Sequence, residues 1–265
     1  MKENEERWAE IKGRIADIEK KEQVKILHAV ESGSRAWGFA SPDSDYDVRF
    51  VYIRPMEYYL HLEEKKDFID WELNETLDIN GWDLSKTLKH IYKSNAMIYE
   101  WIGSPIVYHT TLVWERIREA AKNYFSCKSC MYHYYATARK NFSVYFQDEV
   151  VSYKKYFYVL RPILACRWIE ERGCPPPVRF SELAAEVLAE DKRAVVDLLL
   201  RKKQQVTESW KGERFSELDA YIISNLEEYK AKLSYMHNDR KQSWDILNQV
   251  FADCLFLFSS PVNSR

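Results

Sequence analysis

Two short motifs, separated by ten residues, have the chemistry of phosphate and metal binding. Gly33-Ser34 lies in a run of turn-forming residues that follows a short apolar stretch, and Asp45 and Asp47 flank a single tyrosine. A glycine allows backbone N–H groups to approach a phosphate closely, and the Ser34 hydroxyl would bond a terminal phosphate oxygen. Magnesium takes one or two carboxylates from a protein and completes its shell with substrate phosphates and water.

The combination of the two motifs is more specific than either motif alone. A Gly-Ser turn is a common loop, and an isolated Asp-x-Asp is more often a solvated turn than a metal site. Here Asp45 and Asp47 lead into a strongly apolar stretch, where an unpaired charge would be costly to bury. Two ions held about 3.5–4 Å apart would stabilise the attacking and leaving oxygens of an in-line displacement. We therefore expect Mg²⁺, with Mn²⁺ as the alternative ion, and a nucleoside triphosphate as the partner.

A third carboxylate is expected to complete the second metal position, and two candidates remain open. Asp78 lies between Leu77 and Ile79, as an aspartate on the functional face of a strand would. Asp83 is the alternative third ligand. The N-cap of a following helix would explain Asp83 fully, whereas no structural role is evident for Asp78.

The elements that position these motifs lie in the first 111 residues. Periodicity and turn signals predict helices over 4–22, 34–39 and 83–94, strands over 24–30, 46–53, 68–73 and 75–80, and a loop over 41–43. Side chains alternate across a strand, so Asp45, Asp47 and Arg49 should share one face, and the apolar and aromatic residues between them the other.

The remainder of the chain is predicted to be helical. Helices are expected over 113–123, 129–147, 150–171, 181–189, 191–208, 214–233 and 241–257. The sequence therefore predicts an α+β protein with two domains. A catalytic α/β domain spans 1–111, and a helical domain over 112–265 completes the cleft for nucleotide and acceptor.

One predicted helix presents a further set of candidate binding residues. Lys154, Tyr158 and Arg161 fall at positions i, i+4 and i+7, so a phosphate-binding cation and a base-stacking aromatic ring would share one helical face. The alternative is that Tyr158 packs in the core while Lys154 extends to solvent. Arg35, directly after the Gly-Ser turn, either reaches phosphate or faces solvent. Arg139 and Lys140 have a weaker claim of the same kind.

Charge is distributed unevenly along the chain. Residues 1–120 carry 17 Lys+Arg against 23 Asp+Glu, a net of −6, and residues 121–265 carry 22 against 18, a net of +4. An acidic half that binds metal and a basic half that faces phosphate would explain this difference in net charge. Ordinary variation of surface residues would explain it equally well.

Composition excludes several classes of protein. No apolar run reaches about 18 residues, and the N-terminal MKENEERWAE lacks the apolar centre of a signal peptide, so we expect a cytoplasmic protein without a membrane partner. Five cysteines with a single CxxC at Cys127 and Cys130 predict no disulfide framework. Incidental thiols are favoured over half a zinc site.

The motifs resemble a known family. Gly33-Ser34 followed by Asp45 and Asp47 resembles the signature of the DNA polymerase β nucleotidyltransferase superfamily. The strings ESGSRAWGFASPDSDYDVRFVY, LDINGWDLSKTL, KSNAMIYEWIGSPIVY and KKYFYVLRPILACRWI are similar to its YcgL-like branch, also called RlaP for RNA-ligase-associated polymerase. The resemblance implies a mixed sheet with helices, magnesium dependence and a role in RNA repair or end modification.

The resulting functional hypothesis is transfer of a nucleoside monophosphate to a hydroxyl group, with release of pyrophosphate. An RNA end is the acceptor that the family resemblance favours. The first alternative keeps the same core but modifies a hydroxyl of a protein or small molecule. The second is a regulator that binds nucleotide without turnover. The nucleotide base and the oligomeric state are not predicted.

Overall fold

A five-stranded mixed sheet forms the first part of the protein. The computed structural model describes residues 2–41, 44–74, 76–204 and 210–259. The strands are β1 (Lys25–Glu31), β2 (Tyr46–Ile53), β3 (Phe68–Leu73), β4 (Leu77–Asp83) and β5 (Val107–Thr110). Their order across the sheet is β3-β4-β2-β1-β5, in which β2 and β4 are parallel and the other neighbours antiparallel.

Five helices accompany the sheet in sequence. They are α1 (Lys2–Glu22), α2 (Gly33–Ala36), α3 (Met56–Tyr59), α4 (Leu84–Tyr92) and α5 (Ala96–Ile102). Helix α4 begins where its sequence predicts, because the Asp83 carboxylate accepts a hydrogen bond of 2.7 Å from the backbone N–H of Ser85. Such a side chain satisfies one of the N–H groups left without a partner at a helix N-terminus.

The second part of the chain is mainly helical, as predicted. Its elements are α6 (Leu112–Lys122), α7 (Cys127–Tyr145), β6 (Val150–Ser152), α8 (Tyr153–Arg172), α9 (Phe180–Val187), a 3-10 turn (Glu190–Lys192), α10 (Arg193–Gln204), β7 (Lys211–Glu213), α11 (Ser216–Tyr235) and α12 (Asp245–Ser259). The α+β class with a mixed sheet and a helical second part is therefore confirmed.

Several elements differ from the sequence prediction. Residues 150–152 were expected to begin a helix but form β6, which pairs with β7, because Val151 is buried in that arrangement. Neither β5 nor α5 was predicted. Glu75, the loop residues 42–43 and the predicted helical residues 205–208 lie outside the described ranges.

The sheet has apolar packing on both faces. Val48, Phe50 and Tyr52 of β2 pack with the isoleucines of α1, whereas Val51 and Ile53 belong to a second cluster on the opposite face. This alternation along β2 agrees with the predicted two faces of the strand. It places Asp47 and Arg49 on the face that carries the second cluster.

The second cluster joins the sheet to the helices that follow it. It contains side chains from β1, α4 and α5 and continues through α6, α7 and α8 to Cys254 in α12. Apolar packing is thus continuous across residue 111, while the division into two domains at that residue stays a prediction. No helix in the described ranges combines the length and apolar character that crossing a bilayer requires.

Candidate active site

The turn after β1 is built around Gly33. Its φ of +60° is a left-handed conformation that side-chain-bearing residues rarely adopt. A Cβ atom at this position would also overlap Asp47 Oδ2. The backbone N–H of Ser32 donates to the carbonyl of Asp47 at 2.8 Å, so the turn lies directly against the beginning of β2. Glycine therefore allows the turn and the carboxylate to meet.

Three carboxylates gather at this end of the sheet. Asp47 and Asp78 are paired in the register of the parallel strands β2 and β4, so their side chains project from the same face. Burial raises the pKa of Asp47, and the negative charges of Asp45 and Asp78 raise it further, while Arg49 and Lys154 oppose the shift. The structure thus brings the three predicted metal ligands into one electrostatic cluster.

Arg49 lies between two of these carboxylates. Its Nη2 atom donates to Asp47 Oδ1 at 3.1 Å and to Asp78 Oδ2 at 2.6 Å. Its Nη1 atom donates to the backbone carbonyls of Val48 and Asp78, each at 3.1 Å. The sequence placed Arg49 on the same face as Asp45 and Asp47 but gave it no role. The pairing of β2 with β4 supplies that role, because it brings Asp78 within reach.

The carboxylate cluster has the donor chemistry of a magnesium site. Hard oxygen ligands with excess negative charge suit Mg²⁺, which needs only one or two protein carboxylates when phosphates and water fill the remaining positions. No group of three or more His, Cys, Asp or Glu side chains within the described ranges is arranged so that it could hold a metal ion by itself. The guanidinium of Arg49 lies between Asp47 and Asp78 and forms an ion pair with each.

Glu31 holds the backbone of the carboxylate cluster in place. It was not predicted as a site residue. Its side chain is buried; it accepts from the backbone N–H of Asp47 at 2.8 Å and from the hydroxyl of Tyr108 at 2.5 Å. Burial raises the pKa of Glu31 to about 7. The only sequence signal was its position immediately before the turn. Glu31 fixes the backbone that carries Asp47.

A cleft of about 260 Å³ opens beside Asp47, the one carboxylate of the cluster that lines it. Gly33, Asp47 and Arg49 line its sheet side, and Tyr158 and Arg161 of α8 line the opposite side. Residues predicted separately, one set on a strand and one on a helix, therefore share a single cleft. The lining also includes His133 and Tyr134 of α7.

Arg161 is fixed in the cleft by an ion pair. Its side chain is 4% exposed, and Nη1 donates to Glu100 Oε1 at 2.8 Å. Trp37 Nε1 and the Tyr134 hydroxyl also donate to Glu100, at 3.1 and 3.0 Å. Burial would raise the pKa of Glu100, but the charge of Arg161 and these hydrogen bonds outweigh it and lower the pKa. Glu100 lies in helix α5, which was not predicted, so no local pattern marked it as a site residue.

One nitrogen of Arg161 has no assigned role within the protein. Its buried Nη2 atom has no hydrogen-bond partner among the described residues, although the arginine belongs to the wall of the cleft. Buried N–H groups in proteins are nearly always paired, because an unpaired donor loses its hydration without compensation. A ligand oxygen in the cleft would satisfy this donor.

For Lys154 and Tyr158, the sequence left open whether they face a binding cleft or pack within the protein, and the structure shows features of both. Tyr158 packs against the rings of Trp37 and Phe39, and it also lines the cleft. The Lys154 ammonium lies 5.3 Å from the Tyr158 ring and acts electrostatically on Asp47. Both residues therefore belong to the edge of the site while making contacts within the protein.

Arg35 and Ser34 support the turn. The Arg35 guanidinium donates to the carbonyls of Asp45 and Ser44, at 2.9 and 2.5 Å, and lies 3.6 Å from the Tyr46 ring. These contacts direct Arg35 to the segment before β2, and it is not among the residues that line the cleft. Ser34 is buried at the second position of α2. A direct contact of either side chain with nucleotide stays a prediction.

Asp83 lies apart from the cluster. It is five residues beyond Asp78, at the opposite end of β4, where it is paired in register with Tyr52 and not with Asp47. There its carboxylate caps α4 and accepts from the hydroxyl of Tyr59 at 2.8 Å. The geometry therefore favours Asp78 over Asp83 as the third acidic residue.

Comparison with known proteins identifies the family. The sequence profile of RlaP, described as an RNA repair pathway DNA polymerase beta family, matches residues 9–253. The chain is 41% identical over 246 residues to a Bacillus subtilis (strain 168) protein described as "Uncharacterized protein YcgL", covering 91% of this chain and 95% of that protein.

A comparison of structures adds a weak similarity. A crystal structure of a nucleotidyltransferase-like protein from Exiguobacterium sibiricum 255-15 matches with a TM-score of 0.30 and 14% identity, over 84% of this chain and 74% of that chain. That score is too low to carry an argument. The assignment depends on the sequence profile and the Bacillus relative, both of which cover most of the chain. The protein therefore belongs to the RNA repair pathway DNA polymerase β family, RlaP.

Proposed function

We propose that the protein transfers a nucleoside monophosphate from a nucleoside triphosphate to a hydroxyl group, using Mg²⁺ or Mn²⁺. The observation that carries the proposal is the contact between the Gly33 turn and the Asp47 carboxylate. Because no side chain separates them, phosphate bound at the turn would lie beside the carboxylates. The family assignment points to the same class of reaction.

The proposed reaction has a simple balance. The acceptor oxygen forms a bond to the α-phosphorus while the bond from that phosphorus to the bridging oxygen breaks, so pyrophosphate leaves with the electron pair. The acceptor proton passes to solvent or to a carboxylate of the cluster. Divalent ions would stabilise the attacking and leaving oxygens, and Asp45, Asp47 and Asp78 are the residues that would hold them.

The cleft provides positive groups for the triphosphate. Arg49 and Arg161 both line it, and Lys154 lies near Asp47 at its edge. Phosphoryl transfer depends mainly on positioning and on stabilising charge over the phosphate oxygens. The unpaired Nη2 donor of Arg161 is well suited to a phosphate or ribose oxygen. Tyr158 would provide a ring against which a base could stack.

An RNA end is the acceptor that the surface favours. Lys154 and Lys155 lie 5.3 and 5.1 Å from the ring of Tyr158, which lines the cleft. Arg139 and Lys140 are exposed on the neighbouring helix α7. Cations interleaved with aromatic rings suit single-stranded nucleic acid, because the cations bind phosphates while the rings stack on bases. The cytoplasmic location expected from the sequence is part of this proposal.

Label transfer tests the proposal directly. The protein is incubated with each α-³²P-labelled nucleoside triphosphate and Mg²⁺, with and without total RNA, and the products are separated. Label in RNA that depends on Mg²⁺ supports the proposal. Label on protein or a small molecule supports the alternative acceptors. Nucleotide binding without any label transfer or pyrophosphate release, under all these conditions, would indicate a non-catalytic nucleotide-binding protein.

A further inference from the structure

We propose that Arg49 is an exchangeable cation of the site, which binds Asp47 and Asp78 before a divalent ion arrives and then contacts the phosphates of the nucleotide. This inference rests on the proposed function. It adds a substrate-binding residue and a coupling between metal and nucleotide. The position of the guanidinium between the two carboxylates is its starting point.

The geometry sets the two cations in competition for the same carboxylate oxygens. Arg49 Nη2 lies 3.1 Å from Asp47 Oδ1 and 2.6 Å from Asp78 Oδ2. Magnesium binds oxygen ligands at about 2.0–2.1 Å. A divalent ion held by these carboxylates would therefore compete with Nη2 for the same oxygen atoms. Coordination through Asp47 Oδ1 and Asp78 Oδ2 would displace the guanidinium from both.

The displacement has an energetic cost that reduces metal affinity. Arg49 makes two charge-assisted contacts through Nη2 and two further hydrogen bonds to backbone carbonyls through Nη1. Hydrogen bonds to charged groups are stronger than neutral ones. A ligand that binds only the displaced state has its apparent affinity reduced by the fraction of molecules in that state. Divalent ions should consequently bind the nucleotide-free protein weakly.

The cleft offers the displaced guanidinium a new partner. Arg49 lines the same cleft as Gly33 and Arg161, where the proposed function places the triphosphate. Side-chain rotation would move its charge from the carboxylates toward phosphate oxygens, and a planar guanidinium binds phosphate well. Metal and nucleotide would then favour each other's binding, because each stabilises the same position of Arg49.

Binding of Mn²⁺ alone provides the primary test, since it requires neither a known base nor turnover. Bound Mn²⁺ is measured by electron paramagnetic resonance with wild-type protein and Arg49→Gln, in the absence of nucleotide. We expect Arg49→Gln to bind Mn²⁺ about tenfold more tightly, because no guanidinium competes. Arg54→Gln is the matched control: Arg54 follows the same strand but pairs with Glu22, and its loss should leave Mn²⁺ affinity unchanged.

For phosphate binding, the proposal predicts that Arg49→Gln lowers the affinity, in contrast to its effect on Mn²⁺. With saturating Mn²⁺, inorganic tripolyphosphate should bind Arg49→Gln about tenfold more weakly than wild type. A purely structural arginine would not strengthen one ligand and weaken the other on removal. Unchanged or weaker Mn²⁺ binding by Arg49→Gln would overturn the exchange. Unchanged tripolyphosphate binding would overturn the transfer of Arg49 to phosphate.

Two further variants keep the test decisive. If Arg49→Gln does not fold, Arg49→Met keeps an unbranched apolar side chain without the charge, and it should also bind Mn²⁺ more tightly than wild type. Asp47→Asn separates the two proposals. Mn²⁺ binding that does not depend on Asp47 contradicts the metal site itself, whereas Asp47-dependent binding that is insensitive to Arg49 contradicts only the exchange.

Discussion

Substitution of Gly33 should alter the geometry of the candidate site directly. Its positive φ disfavours any side chain, and a Cβ there meets the carboxylate of Asp47. Gly38 also has a positive φ, of +82°, but a Cβ there has no neighbour within 4 Å. The two glycines share the backbone requirement and differ in the steric one, so they form a matched pair.

Substitution of the two glycines by alanine should therefore have different consequences. Gly38→Ala should lose about 1–2 kcal/mol of stability from backbone strain alone. Gly33→Ala should lose more stability and also displace Asp47, with the loss of pyrophosphate release. Urea unfolding and a pyrophosphate assay measure the two effects. Equal stability and equal activity in the two variants would contradict the described contact.

His28 makes the stability of the sheet depend on pH. The imidazole is buried in β1, stacks on Trp114 at 4.4 Å and hydrogen-bonds Thr110 Oγ1 at 3.1 Å. Burial lowers its pKa to about 4 from 6.5. The unfolded chain therefore binds a proton near pH 6.5, whereas the folded protein binds it only near pH 4. Stability from this group is present above pH 6.5 and is lost as the pH falls toward 4.

The expected size of this effect is about 3 kcal/mol between pH 7 and pH 4. His28→Asn keeps a polar group beside Thr110 but cannot take up a proton in this range. Its free energy of unfolding should fall less steeply than that of wild type between those pH values, as measured in urea. Parallel pH profiles for the two proteins would show that His28 is not held neutral by burial.

At the scale of elements, the parallel pairing of β2 with β4 determines which aspartates meet. Asp78 is opposite Asp47 in the register, and Asp83 caps α4 at the other end of β4. We expect Asp83→Ala to lose about 1 kcal/mol of stability, in the range typical of a lost N-cap, and to keep its Mn²⁺ affinity. Asp78→Ala should weaken Mn²⁺ binding. Urea unfolding and Mn²⁺ titration of both variants test this expectation. Weaker Mn²⁺ binding by Asp83→Ala but not by Asp78→Ala would favour Asp83 as the third ligand.

The sequence predicts these elements well where local pattern determines them. β2 and β3 occupy the predicted residues 46–53 and 68–73, because apolar and polar side chains alternate along them. β6 and β7 were not predicted. Each has only three residues, and their pairing joins segments about 60 residues apart in sequence, so no local pattern marks them.

The same distinction applies to the candidate site. Gly33 and Asp47 follow from a local motif, and their proximity in space could be anticipated from a strand-turn-strand arrangement. The contact of Arg49 with Asp78 could not be anticipated, because it depends on the register of β4 against β2. Glu100 is a further case, since its role requires α5 and α8 to pack so that it meets Arg161. Such roles arise from tertiary contacts that one sequence does not display.

At the scale of the whole molecule, one apolar cluster connects the sheet with the helices that follow it. It contains Leu27 and Val30 of β1 and extends to Cys254 of α12. Packing shared in this way should make the two parts unfold together. We expect far-ultraviolet circular dichroism and tryptophan fluorescence to give coincident urea transitions. Two separated transitions would indicate that residues 1–111 and 112–265 are independent domains.

The central claim is that carboxylates beside the Gly33 turn support metal-dependent nucleotidyl transfer. The most direct measurement is pyrophosphate release from nucleoside triphosphates with Mg²⁺, for wild type, an Asp45→Asn and Asp47→Asn double variant, and Asp70→Asn. Asp70 is an exposed carboxylate in β3 and serves as the control. We predict that the folded double variant loses about a thousandfold or more in rate while Asp70→Asn keeps wild-type activity. Wild-type turnover in the folded double variant would contradict the claim.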